Sequence, residues 1–135
     1  MNVRRIGNTE RALVQLLVDD SFPVSGGNAP IEVSVRSTEA WFVLQESDHA
    51  SPLGILGYAG ARHAKDRGYL ICCRSTRAGG QAKLLAAREA WLRGRGCKVV
   101  RTYTYDNPRS EANLVAAGYS VVSADEGLKW WEKWL

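Results

Sequence analysis

The residues with the most evident chemistry lie in the run Leu70-Ile71-Cys72-Cys73-Arg74-Ser75-Thr76-Arg77-Ala78-Gly79-Gly80-Gln81-Ala82-Lys83-Leu84-Leu85. Its first part is compact and apolar, as in a buried strand. Its middle is polar and carries a glycine pair. Its last part takes on helical spacing. A strand that feeds a glycine-containing loop opening into a helix offers an anion unpaired N–H groups and the positive end of a dipole. Gly79 and Gly80 remove side chains where a ligand must approach the backbone. Ala82 keeps the first helical turn narrow, and Arg74, Arg77 and Lys83 add cationic groups. The pattern predicts an anion site suited to a pyrophosphate. Two other glycine loops do not fit, since GxxxxGK[ST] and GxGxxG are both absent.

The remaining chemistry-bearing types exclude several classes. Cys72, Cys73 and Cys97 are an odd set with an adjacent pair, which is a poor disulfide framework. CxxC spacing is missing and only His49 and His63 are available, so no metal site is expected. Free buried thiols are the expectation. The net charge of +4 leaves room for a nucleic acid or another acidic partner, without favouring one. No run nears the roughly 18 apolar residues of a membrane span, and no apolar signal core follows Met1-Asn2-Val3-Arg4-Arg5. A cytoplasmic protein with no membrane partner is expected.

The elements that must hold the loop follow from the spacing of apolar residues. A short strand is predicted over 2–6. A helix then runs from a cap at Asn8 or Thr9 to about Asp20, with Ala12, Leu13, Leu16 and Leu17 as its apolar stripe. Phe22 to Pro30 reads as a loop, and Ile31, Val33 and Val35 alternate as a short strand. Trp41–Gln45 is a strand, His49–Pro52 a turn, and Leu53–His63 the next strand, giving an antiparallel meander. Tyr69–Cys73 is the buried strand before the loop. The helix Gly80–Arg95 has Leu84, Leu85, Trp91 and Leu92 on one face, with Arg88, Arg93 and Arg95 extending the charged side. A strand Val99–Tyr105, a turn at Asp106-Asn107-Pro108, a helix to Ala117 and final strands over 120–123 and 128–135 complete the chain. The order predicts a mixed α/β, or α+β, layout in one domain over residues 1–135.

Arg77-Ala78-Gly79-Gly80-Gln81-Ala82, read as R-x-x-G-x-A, resembles the coenzyme A loop of the GNAT acetyltransferases, whose pattern is [QR]-x-x-G-x-[GA]. Leu70 and Cys72 stand where that family has L-x-V before the loop. Asn107 and Gly118-Tyr119 stand where it has an Asn and a later Gly-Phe. The resemblance spans about Trp41 to Val122. It implies a central, mostly antiparallel and splayed sheet with helices on both faces. It implies acetyl-CoA as acyl donor, with pantetheine along Ile71, Cys72 and Cys73, pyrophosphate on Arg77 to Ala82, and Asn107 touching the cofactor.

It also implies direct transfer of the acetyl group to an amine acceptor, with a backbone N–H near Cys72 stabilising the oxyanion. Asp66 lies eleven residues before Arg77, the offset of the catalytic acid residue in histone acetyltransferases of the superfamily, and is the first candidate for general base. Glu46 and His63 follow it. Where many members carry an acidic Tyr, this chain has Leu114, so the general acid passes to Tyr105, Tyr103 or Ser110. That departure keeps a non-catalytic binding module as an alternative, beside a modifier of nucleic acid or of a tRNA-bound amino acid. The Trp-rich tail, Trp130, Trp131 and Trp134, is expected to pack on the sheet, to wall an acceptor pocket or to join a homodimer.

Overall fold

A computed structural model describes residues 1–21, 30–46 and 54–135. Its elements are β1 (Asn2–Arg5), α1 (Arg11–Ser21, entered through a 3₁₀ turn at Asn8–Glu10), β2 (Glu39–Gln45), β3 (Ile55–Ala64), β4 (Arg67–Ser75), α2 (Gly80–Gly94), β5 (Val99–Tyr105), α3 (Pro108–Ala116), β6 (Ser120–Asp125) and β7 (Leu128–Trp134). One seven-stranded sheet has the order β1-β2-β3-β4-β5-β7-β6. Every neighbouring pair is antiparallel except β4 with β5. The layout is the predicted one. The expected loop over 22–29 and the expected turn at 49–52 lie outside the described residues.

Both faces of the sheet are covered, and β2 is therefore buried along its whole length. Trp41 and Val43 point to one side and meet Val14 and Val18 of α1 with Tyr58 of β3. Ala40, Phe42 and Leu44 point to the other side and meet Leu84 of α2. On that same side Leu85 and Leu92 of α2, Leu114 of α3 and Trp131 of β7 close a third cluster around Val100. Gly60 is needed under Trp41, since a Cβ there would stand 2.7 Å from the indole ring.

Three expectations change. The buried stripe of α1 is Val14 and Val18, while Leu16 is 68% exposed, so the apolar face is turned by about one residue. Residues 31–35 belong to no strand. The Gln15 side chain takes the place of a neighbouring strand there, donating to Ile31 O at 2.8 Å and accepting from Val33 N at 2.7 Å. Arg88 is not on the charged side of α2, being 4% exposed.

Candidate active site

The site begins where β4 and β5 part. The two strands pair only at Arg67↔Val99, Gly68↔Val100 and Tyr69↔Arg101. Beyond Tyr69, β4 stays paired to β3 as far as Ser75, and β5 stays paired to β7 as far as Tyr105. Each strand keeps its outer partner, so the sheet opens between them into a wedge. Backbone groups on the inner edges of the wedge have no ladder partner and are left for a ligand or water.

A bulge in β4 lies at the apex. Leu70 pairs with Ala61 and Cys73 with Ala59, so Ile71 and Cys72 together face Gly60. Such a bulge re-aims side chains and leaves one residue outside the ladder. Here Ile71 and Cys72 both pack toward the α1 side, while Leu70 and Cys73 pack toward the α2 side. A cleft of about 280 Å³ fills the wedge, lined on β4 by Leu70 to Cys73, on β5 by Thr102 to Tyr105 and on the helices by Gln81, Arg88, Asn107, Asn113 and Leu114.

The loop after β4 is held from within. Ser75 Oγ donates to Arg77 O at 3.0 Å and accepts from Arg77 N at 3.2 Å. Gly80 N donates to Arg77 O at 3.1 Å. Gly79 sits at the N-cap of α2 with φ of +77°, a conformation natural to glycine, and no side chain caps the helix. The first bond of the helix runs from Lys83 N to Gly79 O at 3.2 Å. The N–H groups of Gln81 and Ala82 are therefore left over by helix geometry. No acidic residue occupies the first turn. The helix end is thus uncapped beside the cleft, the arrangement that suits an anion.

Several predicted residues meet here. Ile71, Cys72, Cys73, Gln81, Tyr105 and Asn107 line this one cleft, and Gly79, Gly80 and Ala82 shape the helix end beside it. Ala78 is exposed on the loop. Arg77 does not reach over the helix end as a free cation, because Nη2 pairs with Glu46 Oε2 at 2.8 Å. Asn107 is the N-cap of α3 and accepts from Ser110 N at 3.2 Å through Oδ1, with Pro108 in the first turn. Asn113 donates to the Gln81 side chain, which ties α3 to the first turn of α2. Tyr105 ends β5 and is 63% exposed. Leu114 is buried between Leu85 and Leu92 and offers no proton.

The cysteines are free thiols. Burial pushes the Cys72 thiol up to about 12, against an opposing pull from Arg88. Burial likewise raises Cys73. Neither is a thiolate at neutral pH.

A second cleft of about 700 Å³ opens on the sheet and shares Ile31, Leu70, Ile71, Thr102 and Tyr103 with the first. Tyr103 stacks against Trp130, with ring centroids 5.3 Å apart, and both line this second cleft. Glu39 lines it as well and is 3% exposed. Its Oε2 accepts from Ser34 N at 2.9 Å and from Trp41 Nε1 at 3.0 Å, and its Oε1 stands 3.9 Å from Arg36.

Asp66 lies in neither cleft. It occupies the exposed turn between β3 and β4, where its main-chain oxygen accepts from Lys98 N at 2.7 Å. That is the closed end of the wedge. Glu46 is engaged with Arg77, and His63 Nε2 lies 3.0 Å from Ser37 O with its ring edge-on to Trp91. Sequence reasoning missed Glu39, which reads as one more polar residue at a strand start. It also missed Arg88, although the spacing Leu84, Arg88, Leu92 puts Arg88 on the apolar stripe.

No protein-family model and no curated protein matches the chain. Solved structures do. An aminoglycoside 6'-N-acetyltransferase from Enterococcus faecium superposes with a TM-score of 0.76 at 12% identity, covering 99% of this chain and 97% of that one. A ribosomal-protein-alanine N-acetyltransferase from Brucella melitensis gives 0.74 at 15% identity and covers 100% of both chains. NAA60 from Arabidopsis thaliana, in complex with acetyl-CoA, gives 0.76 at 10% identity, covering 99% and 98%. At such identities the likeness establishes the fold. The chain has the fold of the GNAT N-acetyltransferases, as the loop motif implied.

Proposed function

We propose that residues 1–135 act as one acyl-CoA-binding domain that transfers an acetyl group from acetyl-CoA to a primary amine. The observation that carries this reading is the wedge between β4 and β5 opening onto the uncapped start of α2. An extended pantetheine arm fits against an unpaired strand edge, and a pyrophosphate fits against a helix N-terminus. The solved structures of this fold include one holding acetyl-CoA and one holding coenzyme A.

In this mechanism the free N–H groups of Gln81 and Ala82 bind the pyrophosphate, and Gly79 and Gly80 keep that surface bare. The inner edge of Ile71 to Cys73 holds the pantetheine, with the Asn107 amide beside it. The thioester carbonyl lies at the bulge, where a main-chain N–H at Cys72 or its neighbour stabilises the oxyanion. The amine comes from the second cleft, which touches the first at Ile71 and Tyr103. An amine of pKa near ~10 must lose a proton before attack. Glu39, the buried carboxylate of that second cleft, accepts it directly or through water. We prefer Glu39 to Asp66 because Asp66 lies outside both clefts. Tyr105, Tyr103 and Ser110 line the donor cleft and are the candidate hydroxyl groups for returning a proton.

Acetyl-CoA is expected to raise the melting temperature, since a ligand that binds only the folded chain stabilises it. An amine panel should then release free coenzyme A. A folded protein whose melting point does not respond to saturating acetyl-CoA would overturn the reading.

A further inference from the structure

The donor cleft contains one charged side chain among its described lining residues, Arg88. It is 4% exposed and lies in the middle of α2. Its Nε donates to Leu84 O and its Nη1 to Gly60 O, each at 3.3 Å. Both partners are neutral main-chain carbonyls. Among the described residues no carboxylate comes within ion-pair distance of it. The adjacent Glu89 is turned away to Lys133, at 3.0 Å, and to Tyr119, at 2.8 Å. A guanidinium has five N–H groups, and two bonds do not use them up. Buried charges are normally paired, so a cation left with carbonyls alone beside a cleft calls for an anion.

Its position says which anion. Gly60 is the residue opposite the bulge, so Arg88 stands on the α2 side of the wedge apex, the side to which Leu70 and Cys73 point. Its charge reaches sulfur there, since it lowers the Cys72 and Cys73 thiols against the burial that raises them. From α3, Leu114 also lines this cleft and carries no proton to give.

We propose that Arg88 stabilises the thiolate of coenzyme A as it departs, doing by charge what a proton donor would do by transfer. This rests on the reading above. The amine nitrogen forms a bond to the acyl carbon, and the carbon–sulfur bond breaks with its electron pair going to sulfur. Starting from the ammonium, the nitrogen loses two protons through the acceptor cleft, one before attack and one as the amide forms. The thiolate, held beside the guanidinium, later takes one from solvent, so one proton is released per turnover. Arg88 is thereby a catalytic residue for this step.

The test needs no acceptor. Among the described residues the other titratable groups facing the cleft are Cys72 and Cys73 from β4 and Tyr103 and Tyr105 from β5, while α3 contributes Ser110, Asn113 and Leu114. Affinity for coenzyme A and for desulfo-coenzyme A is measured against pH, and the bound thiol's ionisation is followed by its thiolate absorbance, with the desulfo complex subtracted. In the wild-type protein the bound thiol should ionise about one pH unit or more below free coenzyme A, and the preference for coenzyme A over the desulfo form should grow with pH. Arg88→Gln, which keeps a donor for Gly60 O, should raise that pKa by about one unit or more, and Arg88→Lys should raise it less. A bound thiol that ionises at or above the pH of free coenzyme A in the wild type overturns the proposal, even if no variant folds. So does an Arg88→Gln protein whose bound thiol ionises as in the wild type. Failure of both ligands to bind would instead overturn the proposed function.

Discussion

Ala82→Asp separates a binding role of the α2 N-terminus from a merely structural one. Ala82 is the third residue of α2, it is exposed, and its N–H has no acceptor within the helix. A carboxylate there satisfies the helix dipole, which stabilises by about 0.3–1 kcal/mol. The same carboxylate stands where a pyrophosphate must sit. Taking a separation of about 5 Å and an effective dielectric of about 20, Coulomb's law gives roughly 3 kcal/mol of repulsion per pair of unit charges. That corresponds to about a hundredfold loss in Kd. The melting temperature of the free protein should hold or rise while calorimetric affinity for acetyl-CoA falls. The loss should shrink as salt is added. Ala82→Asn supplies the steric control and should bind within a few-fold of the wild type. Equal losses for Asp and Asn would refute the electrostatic account, and an Asp variant that binds normally would refute the placement of the pyrophosphate.

Gly80 is the obvious alternative target and a worse one. A Cβ at Gly80 would stand 2.0 Å from Ser75 Oγ and 2.7 Å from Leu44 Cδ2. Ser75 is the hydroxyl that fixes Arg77 on both sides. Any side chain at position 80 therefore moves the loop and the core together, at a cost typical of overpacking, about 1–3 kcal/mol. Lost binding in such a variant would not distinguish a blocked anion site from a displaced one.

Two further outcomes follow from the geometry. Glu39→Gln should lower turnover at pH 7 by about a hundredfold or more, with the loss narrowing at high pH where free amine is abundant, whereas Asp66→Asn should leave turnover unchanged. The opposite ranking in a steady-state assay would return the base to the β3–β4 turn. The Cys72 thiol is held up to about 12 by burial, so it stays protonated below that pH and alkylation of the native protein at pH 8 should be slow. Rapid labelling of Cys72, found by mass spectrometry of digested protein, would contradict the desolvation that holds this half-buried thiol protonated.

The helix–loop part of the site was legible in the sequence because it depends on local rules. Gly79, Gly80 and the switch to helical spacing mark a helix start, and Asn107 before Pro108 marks another. Both starts stand where they were expected. The splay was not legible from periodicity. It arises because β4 and β5 each hold an outer partner to their ends, a property of pairing across the sheet and not of either strand. The face of α1 was misread because Val14 and Val18 are matched to Trp41 and Val43, while the larger Leu16 faces out. Glu39 was invisible for a similar reason. Its two donors come from Ser34 and from the Trp41 ring, and only the folded segment 30–36 brings them together.

The bulge links these parts into one chemical argument. Without it, side chains along β4 would alternate, and Ile71 and Cys72 would lie on opposite faces. With it, both turn to the α1 side, and the α2 side between Leu70 and Cys73 is left to Arg88. The extra residue frees backbone for a ligand at the same point where Gly60 gives up its carbonyl to the guanidinium. In the proposed reaction negative charge develops first on the carbonyl oxygen and then on sulfur. A free N–H suits the first and a buried cation suits the second. The second cleft, with Glu39, adjoins the first at Ile71 and Tyr103. That second cleft holds cations of its own, since Arg36 stands 3.9 Å from Glu39 and Arg62 and Arg101 also line it. The two clefts adjoin along Ile31, Leu70, Ile71, Thr102 and Tyr103, so an amine arriving past Glu39 would meet the thioester at the bulge while the departing sulfur lies on the Arg88 side.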